Sequence, residues 1–234
     1  MSITKKLKSK NREKTFSFKL LFLTFNFLDD GIIREMEIWY LDHSSFRIRS
    51  QEGIIITDPY GPEIGLKLPK IKADIITVSH ELSDHNRFDL STGRPFVIRT
   101  PGEYEIQGIS VFGIPSFHKN IIYLIETEGI KLCHLGNLDH QLEKEALNKI
   151  NSPDVLFVPV GNRDTIGPKE IIKIIRQIEP KIVIPMHYRN EELKVKEFLR
   201  ALDVKATPIP KLTIKKTDLI FEGEKVVVLE RRKN

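Results

Sequence analysis

A single cysteine, Cys133, in 234 residues leaves no partner for an intrachain disulfide and too few thiolates for a Cys-rich zinc finger or ribbon. A reducing cytoplasm is the expected compartment. Long apolar runs are also scarce: the stretch from Phe16 to Leu28 is broken by Lys19 and falls short of the ~20 residues that a spanning helix needs, so no stable membrane insertion is expected. Low-complexity tracts and short-period repeats are missing too. With 40% hydrophobic and 29% charged residues, the composition excludes a disordered or fibrous chain and allows a sizeable core.

Excess positive charge is missing from the body of the sequence. The net charge is +5, but residues 1–35 hold eight basic residues against four acidic ones, and the remainder holds 29 against 28. A near-neutral body lacks the basic stripe of a nucleic-acid groove, so a small molecule is the expected partner; self-association is left open. The N-terminal segment places Lys5, Lys6, Lys8, Lys10, Arg12 and Lys14 before its phenylalanine-rich stretch, in the manner of a secretion signal, yet no small-residue cleavage site precedes Asp29. A peripheral membrane helix is the alternative. Because a regular pattern starts at Met36, residues 1–35 are expected to be an extension upstream of the natural start, with one domain over 36–234.

From Met36 onward short strands come first and helices later. Glu37–Leu41, Ser45–Arg49 and Gly53–Thr57 are rich in β-branched and aromatic residues, with a turn at Gln51-Glu52-Gly53. Ala73–Ser79 is an almost unbroken apolar run, as in a strand buried on both faces. Further strands are expected at Phe96–Arg99, Ile109–Ile114, Ile121–Glu126, Ile130–His134, Val155–Pro159, Ile182–Pro185, Leu212–Ile214 and Val226–Leu229. Helical spacing appears over Gln141–Ile150, over a segment that Pro168 opens and Pro180 ends, and from about Glu191 to Leu202. One compact α/β domain accounts for this order.

The histidines carry the chemistry, because they lie where strands hand over to loops. His80 ends the buried run and opens Ser79-His80-Glu81-Leu82-Ser83-Asp84-His85; His118 follows Gly113-Ile114-Pro115-Ser116-Phe117, and His187 follows Ile182-Val183-Ile184-Pro185-Met186. Imidazoles and carboxylates are the ligands that a borderline-soft divalent metal takes. Any one strand-end histidine is ordinarily a surface or supporting residue. Three of them on three apolar strands argue for a shared rim.

These residues resemble the metallo-β-lactamase superfamily, and more closely its small branch of zinc-dependent hydrolases. The resemblance runs through Leu41-Asp42-His43-Ser44-Ser45-Phe46, Thr57-Asp58-Pro59, the Ala73–His85 segment against a His-x-His-x-Asp-His signature, Pro101-Gly102-Glu103-Tyr104-Glu105, the strand to His118, His134-Leu135-Gly136-Asn137-Leu138, and Ile184-Pro185-Met186-His187-Tyr188. It implies a four-layer αβ/βα sandwich, two facing β-sheets with outer helices, and a site at one edge of the sheets. It further implies metal ligation by His80, Asp84, His85, His118 and His187, with Asp84 catalytic, Asp58 supporting a ligand histidine and His43 near the rim. His134 and His140 are expected to be structural. Tyr104 and Tyr188 are expected to pack.

Two departures matter. Leu82 stands where the family has its second histidine and Asn137 where it has a metal-bridging aspartate. One metal position would keep only His80 and His118, whereas the other would keep Asp84, His85 and His187, so at most one ion is expected: Zn2+, with Mn2+, Fe2+ or no metal as alternatives. The run His118-Lys119-Asn120-Ile121 also lacks the family's usual loop, which implies a more open site. The leading expectation is a metal-dependent hydrolase with a reduced, mononuclear site. The alternative is a degenerate member that has lost metal and catalysis; a nuclease is a third reading that the neutral body and the chain length disfavour.

Overall fold

The computed structural model describes residues 35–65, 68, 70, 72–161, 165–188 and 192–232; the basic and phenylalanine-rich segment of residues 1–34 lies outside them. Thirteen strands are found among the described residues: β1 (Met36–Asp42), β2 (Ser45–Arg49), β3 (Ile54–Thr57), β4 (Ile75–Thr77), β5 (Phe96–Ile98), β6 (Gly102–Ile106), β7 (Ile109–Pro115), β8 (Ile121–Thr127), β9 (Ile130–His134), β10 (Val155–Pro159), β11 (Ile182–Met186), β12 (Leu212–Ile214) and β13 (Lys225–Val226). Three α-helices accompany them: α1 (Lys144–Ile150), α2 (Pro168–Ile178) and α3 (Glu192–Ala201).

The strands form two mixed sheets, ordered β12-β1-β2-β3-β4-β5 and β13-β11-β10-β9-β8-β7-β6. Their inner faces meet in one core, where Ile38, Phe46, Ile48 and Ile75 of the first sheet join Val111, Tyr123, Leu132, Phe157 and Ile184 of the second. Each such side chain contributes about 1.5–3 kcal/mol on full burial. A second core lies outside the second sheet, where Ile171, Ile174, Ile175 and Ile178 of α2 and Phe198 of α3 cover Leu156, Val158 and Val183. Being covered on both faces, β10 and β11 are buried at every position, which explains their unbroken apolar sequences. Outside the first sheet, Leu41, Ile56, Ile76 and Val78 pack under Tyr60, Leu68 and Phe88, which belong to loops and short 3-10 turns.

Most elements lie where the sequence pattern puts them. Helix α2 begins at Pro168, whose fixed φ suits a first helical position, and ends on Glu179 in the left-handed region just before Pro180. Helix α1 starts at Lys144 rather than Gln141, because Gln141 uses its amide to donate to the Glu170 carbonyl at 3.2 Å and stays outside the helix. Strand β13 stops at Val226: beyond it, Val228 accepts from the Ile209 amide at 3.0 Å and leaves the register with β11. Strand β6 was not expected. Its alternating exposure marks a sheet edge, where Glu103 and Glu105 face solvent.

Strand direction positions the site. In the first sheet β1 and β3 both run antiparallel to β2, and β4 runs parallel to β3, so β1, β3 and β4 end on the same side. In the second sheet β9, β10 and β11 are parallel. The His187 amide donates to the His43 carbonyl at 2.7 Å, which joins the end of β11 to the end of β1 across the sandwich.

Candidate metal centre

Three histidines meet at that junction. One ring nitrogen from each of His43, His85 and His187 lies within 4.8 Å of the others, and all three residues are buried. The rings are close: centroids are 3.9 Å apart for His43 and His187, 4.9 Å for His43 and His85, and 5.6 Å for His85 and His187. Asp84 borders the group, its Oδ2 lying 3.3 Å from Nε2 of His43 and 3.9 Å from Nε2 of His85.

Local backbone strain aims these side chains. His43 and His187 adopt left-handed φ values of 56° and 64°, and Asp58 has φ 38°. For non-glycine residues such conformations cost of order 1–3 kcal/mol each and persist only where the surroundings impose them. Around His43 the imposing contacts are visible. Its carbonyl accepts from the Tyr40 hydroxyl at 3.0 Å as well as from the His187 amide, and its own amide donates to Asp42 Oδ1 at 2.6 Å. Asp42 is itself held by Arg231 at 2.9 Å.

A buried carboxylate fixes His85. Asp58 Oδ2 accepts from His85 Nδ1 at 2.8 Å and from the Ser79 hydroxyl at 2.5 Å, while Oδ1 accepts from the Ser79 amide at 2.7 Å. Burial works to raise the Asp58 pKa, but the His85 charge and hydrogen bond outweigh it and hold the carboxyl below its usual range. The reciprocal holds for His85, which burial pulls down and Asp58 and Asp84 push above its ordinary value. With Nδ1 donating to Asp58, Nε2 of His85 is the atom left to face the cluster, the arrangement by which a carboxylate orients a metal-ligating imidazole.

The other charges are arranged consistently. Burial pushes His187 well below its ordinary pKa, and the neighbouring His43 and His85 add to this, so its imidazole is neutral as metal ligation requires. Burial opposes the ionisation of Asp84, yet the His43 and His85 rings beside it keep the carboxyl far below its usual range. His134 is also neutral: burial lowers its pKa, its Nδ1 accepts from the Gly136 amide at 3.2 Å and its Nε2 donates to the Ser44 carbonyl at 2.8 Å.

The remaining donor atoms supply the test of fit for a metal. Both ring nitrogens of His43, both of His187, Nε2 of His85 and Oδ1 of Asp84 are buried without a hydrogen-bond partner. An orphaned buried polar atom costs roughly 1–3 kcal/mol, and natural structures rarely leave several together without a reason. One divalent cation would satisfy an atom from each histidine, so the residues fit it.

Of the residues expected at the site, His85, His187 and Asp84 lie together, with Asp58 behind His85. His43, expected only at the rim, is inside the group. The signal for it was present, since His43 directly follows β1 as His187 directly follows β11. His80 stands next to His85, with ring centroids 6.2 Å apart, but its Nε2 is 3.2 Å from the His118 carbonyl. His118 turns outward: its side chain is 75% exposed, and its Nδ1 donates to Asp139 at 2.6 Å. Leu82 is exposed, and Asn137 keeps an unpartnered buried Oδ1. Tyr104 and Tyr188 pack against the inter-sheet core.

The beta-lactamase superfamily domain profile matches residues 37–187. Among solved structures, a proposed Zn-dependent hydrolase of the metallo-β-lactamase superfamily from Thermotoga maritima superposes with a TM-score of 0.67 at 35% identity, covering 83% of this chain and 98% of that one. A UPF0173 metal-dependent hydrolase from Thermococcus onnurineus is 26% identical over 192 residues, 66% of this chain and 85% of its own length. Another, from Methanobrevibacter smithii, is 29% identical over 197 residues, 66% and 82% of the two chains. The chain belongs to the metallo-β-lactamase superfamily, and the layered fold agrees with that membership.

Proposed function

We propose that the chain is a hydrolase of a small molecule that works with one divalent metal, zinc by donor type, held by His43, His85 and His187 with Asp84 beside them. The observation that carries this reading is the convergence of orphaned ring nitrogens from three buried histidines within 4.8 Å. When bound, the cation lowers the pKa of a water toward ~7 and polarises a substrate oxygen. The chain's own groups do the rest. Asp58 keeps the Nε2 lone pair of His85 turned inward, and the ionised Asp84 offers its unpartnered Oδ1 to accept a hydrogen bond from the attacking water and orient it.

Elemental analysis of protein purified without chelator tests this directly. About one zinc, manganese or iron per chain is expected, and His43→Ala, His85→Ala and His187→Ala should each weaken retention at least tenfold. Purified protein that holds no metal, and takes none up on dialysis against zinc, would reject the reading. The outward turn of His118, the exposed Leu82 and the neutral Asn137 favour a second reading, a binding protein of the same fold without catalysis. A metal-loaded protein inactive on lactone and phosphodiester panels would support that one.

A further inference from the structure

We propose that Ser116, His140 and Asp139 form a second, metal-independent nucleophilic site that accepts short uncharged acyl esters. Ser116 Oγ lies 3.5 Å from His140 Nε2, and His140 Nδ1 lies 2.7 Å from Asp139 Oδ1. This is the order nucleophile, base, orienting carboxylate, with the loose first contact common before substrate arrives. Asp139 settles the tautomer: an Nδ1–H that donates to its carboxylate leaves the Nε2 lone pair toward the serine.

Three independent features support the assignment. The first is preorganisation. Asn120, 2% exposed, ties the serine loop to the histidine loop: its amide donates to the Leu135 carbonyl at 3.0 Å, its Oδ1 accepts from the Asn137 amide at 2.9 Å, and its carbonyl accepts from the Ser116 amide at 2.8 Å. The second is strain, since His118 and Lys119 hold consecutive left-handed φ values of 52° and 62° inside the turn that carries Ser116. The third is a pocket of about 240 Å³ that Ser116 and His140 line together with Pro115, Phe117, Leu142 and Ala146. Its walls mix apolar and polar surface in nearly equal measure, and Glu143 on the same wall disfavours anionic substrates. His118 braces the other oxygen of Asp139 at 2.6 Å and so acts as a positioning residue.

The step balances without a cofactor. Ser116 Oγ bonds to the ester carbonyl carbon while its proton passes to His140 Nε2; the carbon–alkoxide bond then breaks and the leaving alkoxide takes that proton. Water next bonds to the acyl carbon while giving one proton to His140 Nε2; the Oγ–acyl bond then breaks and Ser116 Oγ takes that proton, leaving the free acid. Cys133, buried and with its thiol pushed far up by desolvation, is no rival nucleophile.

The full chain should be incubated with a fluorophosphonate probe, with and without a chelator, and the adduct located by peptide mass spectrometry. An adduct on Ser116 that persists in the chelator, is lost in Ser116→Ala and forms at least tenfold more slowly in His140→Gln is expected. Asp139→Asn should slow it by a similar factor. A Ser116→Cys variant gives a second reading, because its reaction with iodoacetamide should slow on adding His140→Gln. No adduct on Ser116, or equal rates with and without His140, would overturn the proposal while leaving the metal reading intact.

Discussion

Replacing Asp58 with asparagine changes one buried atom and should disable the metal centre without touching a ligand. The amide oxygen can still accept from the Ser79 amide, but the new NH2 then faces His85 Nδ1, where the carboxylate accepted at 2.8 Å. His85 can answer only by moving its proton to Nε2, which turns a hydrogen toward the cluster in place of a lone pair. Losing such a supporting carboxylate typically weakens metal binding 10–100-fold, about 1.4–2.7 kcal/mol. Metal-free stability should fall as well, by roughly 1.5–3 kcal/mol for a hydrogen bond to a charged group. The pH dependence carries a signature. The Asp58 contribution, with its folded pKa lowered, is present above the unfolded value of ~3.9 and lost as pH falls through the folded one; the His85 contribution, with its folded pKa raised, is whole below ~6.5 and lost as pH rises through the folded one. In chelator, the gap between parent and variant in urea denaturation should therefore be widest between about pH 4 and 6.5. Competition against a chromophoric zinc chelator measures the affinity. An unchanged zinc Kd in Asp58→Asn would refute the orienting role and with it the assignment of His85 as a ligand.

Three further outcomes follow from other contacts. His134 is buried and neutral with its folded pKa lowered, so below ~6.5 the unfolded chain binds the extra proton first; His134→Gln should flatten the loss of stability on acidification by up to about 1.4 kcal/mol per pH unit, read from denaturation midpoints at pH 5 to 7. Gly136 has φ +63°, and a Cβ there would stand 2.3 Å from Asn120 Oδ1 and 2.7 Å from Ser79 Cβ. Gly136→Ala should thus cost about 2–4 kcal/mol in urea denaturation, and a loss under about 0.5 kcal/mol would contradict the tight junction. Restoring Leu82→His together with Asn137→Asp should leave bound zinc at no more than one per chain while Asp139 holds His118 outward, and adding Asp139→Asn to release it should raise the stoichiometry toward two; two ions in the double variant alone would contradict that hold.

What the sequence made legible was the place of most strands, and what it hid was the direction of the side chains at their ends. Apolar runs such as Val155–Pro159 announce strands because both faces are covered, and Pro168 and Pro180 bracket α2 because proline suits a helix start and cannot extend its end. Of the three strand-end histidines only His187 enters the cluster; His85 and Asp84 reach it from the loop that follows the His80 run, and His80 and His118 stay outside. Strand β6 escaped because an edge strand alternates glutamates with a half-buried tyrosine and has no apolar run to read. The direction of a ring, by contrast, depends on one or two dihedrals set by distant contacts. His43 enters the cluster because Tyr40, Asp42 and the His187 amide hold its backbone at a positive φ. His118, also at a positive φ, points the other way because Asp139, 21 residues later, accepts its Nδ1 proton. One carboxylate thereby decides between two chemistries: while Asp139 keeps His118, the pair His80 and His118 is not assembled around an ion, and the same carboxylate is free to orient His140 toward Ser116.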